Sequence, residues 1–201
     1  MIYAGKVNPK SFYARKVQTV ARDLVGCKLM HDGVGGIIVE TEAYNRNDPA
    51  CHAFNGRTER NKVMFGPPGR AYIYFTYGMH HLVNIVCEED GEPAAVLIRA
   101  LQPTDGIDEM KRRRYPVQNL VQMTNGPGKI AQALGIDLRH YGQPVYRGGL
   151  KVHAPDADWQ KPGIVTTSRI GIKAGTEHKW RYCAAESRFL SRKLKTKGED
   201  N

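Results

Sequence analysis

No two cysteines in this chain stand close enough to share a small metal site. Cys27, Cys51, Cys87 and Cys183 are scattered, and with no CxxC pair the zinc-ribbon and zinc-finger spacings are excluded. Their isolation reads as four reduced thiols of a cytoplasmic protein, nucleoid-associated if the source is bacterial. No apolar run approaches the roughly 18 residues that a membrane-spanning helix needs. The N-terminus MIYAGKVNPKSFYARKV lacks the apolar core of a signal peptide. Nucleotide motifs are incomplete as well. GVGG (33–36) lacks the final glycine of G-x-G-x-x-G and has no helix after it, so it reads as a hairpin turn. In TNGPGK (124–129) the first phosphate-loop glycine would fall on Met123. Neither a G-x-S-x-G elbow nor a zinc deaminase pattern occurs. His80 and His81 are adjacent, face opposite ways on a strand and have no third ligand at a recognisable spacing, so no metal is expected.

Acidic residues are in short supply. Against 30 Lys and Arg stand 20 Asp and Glu, a formal net charge of +10. Such an excess suits a polyanionic partner, nucleic acid or an anionic membrane surface. The remaining composition, 41% hydrophobic and 25% charged over 201 residues, is that of a folded chain long enough to bury a core without disulfides. One domain over 1–201 is expected, with 1–8 and 193–201 flexible.

Tyr13, Val17, Val20 and Leu24 recur at helical spacing after Pro9, and Gly26 can stop that helix. Residues 27–31 and 35–44 read as a hairpin through DGVGG. An irregular stretch covers 45–69, with RTERNK in its middle. RAYIYFTYGMHHLVNIVCE (70–88) reads as two strands joined at Gly78, and AAVLIRAL (94–101) as a further apolar strand. TDGIDEMKRRR (104–114) reads as a helix capped by Thr104 or Asp105. A second helix is capped by Asn125 or Gly126, carries Pro127 in its first position and ends at Gly135. KVHAP, IVTTSRIGI and WRYCAA read as short strands. Strands outnumber helices and do not alternate with them, which favours α+β with a curved, mostly antiparallel sheet.

Within the strand IIVETEAY, Glu40, Glu42 and Tyr44 share a face. Arg99 sits inside an apolar run and needs a carboxylate partner, for which either Glu40 or Glu42 would serve. Tyr72 and Tyr74 share a strand face, as core aromatics commonly do. Tyr77 lies beside the turn, where an exposed aromatic of a basic protein can act as a wedge between base steps. The helix N-terminus beside Lys129 suits a phosphodiester as well as it suits plain capping.

VETEAY (39–44), AYIYFTYGMHHLVN (71–84), VLIRAL (96–101) and TNGPGK (124–129) together resemble the alkyladenine (3-methyladenine) DNA glycosylases, the methylpurine-DNA glycosylase type. SRIGI (168–172) and WRYCAAESRFLSR (180–192) fit the end of that domain, so the resemblance spans about 10–192. It implies a single α+β domain without metal or redox cofactor. It also implies a monofunctional base-excision repair enzyme that removes alkylated or deaminated purines (3-methyladenine, 7-methylguanine, hypoxanthine, ethenoadenine) from double-stranded DNA. Position by position, Glu42 resembles the general base and Arg99 the residue that helps hold the water. Tyr44, His52 and Tyr74 resemble the walls of the pocket for a flipped base, and Asn84 the residue that disfavours guanine. Tyr77 resembles the plug left in the duplex. Arg57, Arg60, Lys62 and Lys129 are candidates for phosphate contacts. Aromatic walls attract the positive charge of an alkylated purine. No lysine is marked out as a Schiff-base nucleophile, so no strand cleavage is expected, and a monomer is expected to act. Two other readings remain open from the residues alone: a non-catalytic basic nucleic-acid module, and a purely structural Glu42–Arg99 ion pair.

Overall fold

A computed structural model describes residues 5–76, 78–155, 160 and 162–194. β1 (Lys28–His31) turns through Asp32 and Gly33 into β2 (Val34–Asn45). Asp32 and Gly33 have φ of 46° and 78°, as a two-residue hairpin with the right-handed strand twist demands. GVGG is therefore only partly a turn. Gly35 and Gly36 belong to β2, where a Cβ would collide with the carbonyl oxygens of Leu29 and Gln102.

β3 (Ala71–Thr76) and β4 (His80–Val86) form the hairpin expected around Gly78. β5 (Ala94–Asp105), β6 (Leu150–His153), β7 (Ile164–Thr167) and β8 (Arg181–Ala184) complete the sheet. Its order is β3-β4-β5-β2-β1-β6, with β8 also on β2 and β7 on β8, and the pairings are antiparallel. β2 is the hub. β5 runs along its length, while β1 pairs with residues 34–37 and β8 with residues 40–42. The branching curls the sheet, and the architecture is α+β.

The β2–β5 ladder is broken where the charged residues sit. Ile38 pairs with Leu101, Glu40 with Ala100 and Thr41 with Ile98. Val39 is thus an extra residue on β2, and Arg99 an extra residue on β5. Bulges of this kind bend a strand and re-aim a side chain.

The first helix is two helices. α1 (Lys10–Tyr13) ends and α2 (Val17–Leu24) begins after a break at Ala14–Lys16. Arg15 Nε donates to the Phe12 carbonyl at 2.8 Å, taking an acceptor that would serve a continuing helix. The expected apolar stripe survives the break: Tyr13, Val17, Val20 and Leu24 are all fully buried. The Thr41 hydroxyl donates to the Ala21 carbonyl of α2 at 2.8 Å, so Glu40 and Glu42, on either side of Thr41, face away from that helix.

α3 (Ile107–Arg113) starts later than expected. Thr104 and Asp105 remain in β5, and Gly106, with φ 64°, makes the turn into the helix. α4 (Leu120–Thr124), capped by the Asn119 side chain, is an element the apolar spacing does not announce. α5 (Pro127–Leu134) runs as expected from Gly126, with Pro127 first and Gly135 at its C-cap with φ 69°. It packs on β4 and β5. Short 3-10 helices cover Lys62–Phe65 and Leu138–His140.

Of the termini expected to be flexible, 1–4 and 195–201 lie outside the described residues. Residues 5–8 run beside β6: Asn8 N donates to the Val152 carbonyl at 2.9 Å, and Val7 bridges His153. Among the described residues no helix is long and apolar enough to cross a membrane, and all four cysteines are buried thiols outside any disulfide.

Candidate active site

The strand alternation of β2 brings Glu40, Glu42 and Tyr44 onto one face, and the bulge at Arg99 aims a guanidinium between the two acids. Arg99 Nε donates to Glu40 Oε1 at 3.1 Å and Nη1 to Glu42 Oε2 at 3.2 Å. Arg99 thus serves both carboxylates, which strand phase alone left as alternatives. Both acids have no exposed surface and Arg99 only 8%. Burial works against the charge of Arg99, yet Glu42 and Glu40 hold its pKa above the ordinary value.

The two acids differ in how fully they are occupied. Glu40 Oε1 also accepts from Arg181 Nε at 2.7 Å and from the Ser191 hydroxyl at 2.8 Å, and its Oε2 from Ser191 N at 2.6 Å. Glu42 Oε2 accepts from Arg99 and from the Tyr44 hydroxyl at 2.7 Å, whereas among the described residues Oε1 accepts only from Ile170 N, at 2.7 Å. A carboxylate oxygen takes about two hydrogen bonds. Oε1 of Glu42 therefore has room for one more donor. Burial, and then the Glu42 carboxylate, push the Tyr44 phenol far above its usual pKa, so it stays a donor.

Glu42 lies one layer behind a cavity of about 520 Å³, and Tyr44, Arg99 and Ile170, its three partners, all line that cavity. The volume suits a ligand of a few tens of atoms. His52, Tyr74 and Asn84 line it too, as does Lys173. His52 Nδ1 lies 2.8 Å from the Tyr72 hydroxyl, and its ring meets Tyr74 edge-on at 4.6 Å. Burial, and then the nearby Arg60, lower the His52 pKa. Cys51 is also in the wall, where burial pushes its thiol up to about 11. Asn84 is 4% exposed and pairs with Tyr72 across the β3–β4 hairpin; its Nδ2 donates to the Tyr72 carbonyl at 3.0 Å. That bond fixes the amide against the strand.

The loop that carries Ile170 is pinned by an ion pair the sequence did not announce. Arg169 binds Asp48 through both nitrogens of its fork, Nη2 to Oδ1 at 2.9 Å, and neither side chain is exposed. Arg169 also donates to the Ala43 and Gly175 carbonyls, each at 3.0 Å, and its guanidinium lies 4.6 Å from the Tyr44 ring centroid. Asp48, Arg169, Arg181 and Ser191 are the residues that sequence reasoning missed. Arg181, beside an apolar strand run, offered the same signal as Arg99.

The expected phosphate contacts fall in different settings. Arg57 is exposed. Arg60 lies over Tyr74, 5.0 Å from its centroid, with Nη2 donating to the Phe75 carbonyl at 3.3 Å. Lys62 is paired with Glu59 at 2.9 Å. Lys129 Nζ donates to Asn125 Oδ1 at 2.7 Å, and burial, then Arg114, lower its pKa. Tyr77, the expected plug, lies outside the described residues. His80 packs its ring against Gly128 in the first turn of α5, where a Cβ would come within 2.9 Å of it. Among the described residues no group of three or more His, Cys, Asp or Glu is arranged to hold a metal.

Comparison with known proteins gives the family. The family profile described as methylpurine-DNA glycosylase matches residues 11–188. A relative from Bradyrhizobium diazoefficiens is 49% identical over 188 residues, which is 94% of this chain and 92% of the relative. One from Carboxydothermus hydrogenoformans is 46% identical over 189 residues, 92% of this chain and 98% of its own. One from Methanoculleus marisnigri is 44% identical over 190 residues, 92% of this chain and 98% of its own. All three carry the provisional name 3-methyladenine DNA glycosylase.

Proposed function

Since the chain belongs to the methylpurine-DNA glycosylase family and is a DNA N-glycosylase, a hydrolase of DNA repair, we propose that its cavity receives a damaged purine turned out of the duplex. We propose further that Glu42 activates the water that releases it. The carrying observation is the half-filled Oε1 of Glu42, held behind a wall made by its own partners Tyr44, Arg99 and Ile170.

A base inside a duplex is out of reach of any such site, so the nucleotide must rotate out, at a cost of a few kcal/mol that is smallest for damaged or mismatched bases. Tyr44, His52 and Tyr74 then wall the base. Water comes to the sugar face opposite the leaving purine and gives its proton to Glu42 as its oxygen bonds to C1′. The N-glycosidic bond breaks, its electron pair leaves with the base, and an abasic site remains. Arg99 keeps the carboxylate aimed while positive charge develops on the sugar. Exposed basic side chains, Arg57 among them, hold the DNA backbone.

The test is a gel assay with single-lesion duplexes. The expected product is an alkali-sensitive abasic site without prior strand breakage. No abasic product from any of 3-methyladenine, 7-methylguanine, hypoxanthine or ethenoadenine would sink the reading. Breaks before alkali would give Lys173, the lysine in the cavity wall, a covalent role.

Asn84 carries the next expectation. Tied to the Tyr72 carbonyl, it cannot swing away from a purine's 2-amino group, so it penalises guanine by crowding. Asn84→Ser should raise 7-methylguanine release relative to hypoxanthine. The scale is about 10-fold, the order expected when a pocket gains or loses one small group. A ratio unchanged in single-turnover assays would remove Asn84 from the discrimination.

A further inference from the structure

We infer that Arg60 is a specificity-determining residue: its guanidinium, laid on the back of Tyr74, tilts the base cavity toward neutral purine lesions and away from cationic, N-alkylated ones. This rests on the reading of the cavity as the pocket for a flipped purine.

An aromatic wall favours a cation because its ring face is electron-rich. Both tyrosine walls of this cavity have already spent that capacity. Arg60 lies 5.0 Å from the Tyr74 centroid, and Arg169 4.6 Å from that of Tyr44. Tyr44 and Tyr74 line the cavity, whereas Arg60 and Arg169 do not. Each guanidinium therefore covers the ring face turned away from the ligand. A ring holding a cation on one face is a poorer host for a second on the other, and the two positive charges also repel through it.

The ionisable groups of the cavity wall point the same way. Arg99 and Lys173 line it, and no Asp or Glu does so among the described residues. Glu42 lies behind the wall with Arg99 as counter-charge. The charge of Arg60 is felt inside as well, since it helps lower the pKa of His52. Arg169 is neutralised by a two-pronged pair with Asp48, whereas the bond recorded for Arg60 is to a neutral carbonyl, that of Phe75. Of the two guanidiniums laid on the tyrosine rings, Arg60 is thus the one whose charge is less compensated. Hypoxanthine and ethenoadenine, neutral and rich in acceptors, meet no such repulsion.

The experiment compares two ratios. Wild type, Arg60→Met and Arg60→Lys are assayed in single-turnover for release of 3-methyladenine from methylated duplex DNA and of hypoxanthine from an inosine duplex. Neither base carries a 2-amino group, so Asn84 does not bear on the comparison. The intrinsic lability of the cationic base cancels when each variant is set against wild type. Arg60→Met should raise the 3-methyladenine to hypoxanthine ratio by about three- to tenfold, the size of one screened charge at this range. Arg60→Lys should keep the wild-type ratio. Equal loss on both substrates would make Arg60 a phosphate contact and overturn the proposal, as would a ratio that stays put or falls. Release of neither base by the wild type would overturn the pocket reading itself, and this proposal with it.

Discussion

Glu42→Gln is expected to lower hypoxanthine excision by about 10²–10⁴-fold, the range for a positioned acid–base group, and to leave a folded protein that still binds lesion DNA. Hypoxanthine is the substrate to use because a cationic base leaves more easily and can mask the loss. The substitution also has a stability cost. If the amide oxygen takes the place of Oε2, facing Arg99 and Tyr44, the amide NH₂ must face Ile170 N, donor against donor. One buried donor left unmet costs about 1–3 kcal/mol. Glu40→Gln is the matched control. Glu40 accepts four hydrogen bonds, three of them on one oxygen, so its loss should destabilise at least as much. Excision per folded molecule should fall far less, because Glu40 faces the cavity only through Arg99. Single-turnover rates beside urea melts of both variants separate the two effects. Near-normal excision by Glu42→Gln with none by Glu40→Gln would move the base two residues along the strand. Loss of folding only in Glu42→Gln would favour the structural ion pair.

Asp48→Ala should destabilise the protein by about 3–5 kcal/mol. Stability of an ordinary domain is about 5–15 kcal/mol, so this is a large fraction of the whole. The reason is what remains. Arg169 has no exposed side-chain surface, and without Asp48 its charge is left with two neutral carbonyls and the rings of Tyr44 and Trp180, and no counter-ion bonded to it. Arg169→Met together with Asp48→Ala removes both charges and should recover part of the loss, a coupling that a double-mutant cycle in urea measures directly. Excision should drop in Asp48→Ala as well, since Ile170, the next residue along, supplies the N–H that holds Glu42. A single-mutant cost below about 1 kcal/mol would show that the pair is relaxed by water and contributes little.

These two results sit on opposite sides of what the sequence discloses. The acid face of β2 was readable because a strand has a period of two, so Glu40, Glu42 and Tyr44 had to share a side. Arg99 was readable as a charge inside an apolar run. Its choice between two partners was not, because the answer is both, and only the bulge puts the guanidinium between them. The α+β class and the helix from Pro127 to Gly135 followed from local rules that operate within a few residues. The break between α1 and α2 did not, because the apolar period runs straight through it and a single side chain, Arg15, ends the first helix. α3 begins late because Asp105 is held in the sheet opposite Gly35 and by Lys28, contacts about 70 residues away in the chain. Asp48 and Arg169 were invisible for the same reason. They are separated by 121 residues, each lies in irregular backbone, and no periodicity links one loop to another.

Val39 and Arg99 amount to two opposed frameshifts in the pairing of β2 with β5. One strand gains a residue, its partner gains one a step later, and the register on either side of the pair is the same. The sheet on both flanks is therefore blind to whether the two insertions are present. Excising both residues together would leave every other partner in phase and every apolar side chain on its own face. It would straighten the strands and take away the guanidinium that joins the two acids. Losing either residue alone would slip half of the longest ladder by one place and turn its buried face outward. The guanidinium that joins the two acids is thus carried in an insert, within a β2–β5 ladder that keeps its own register without it.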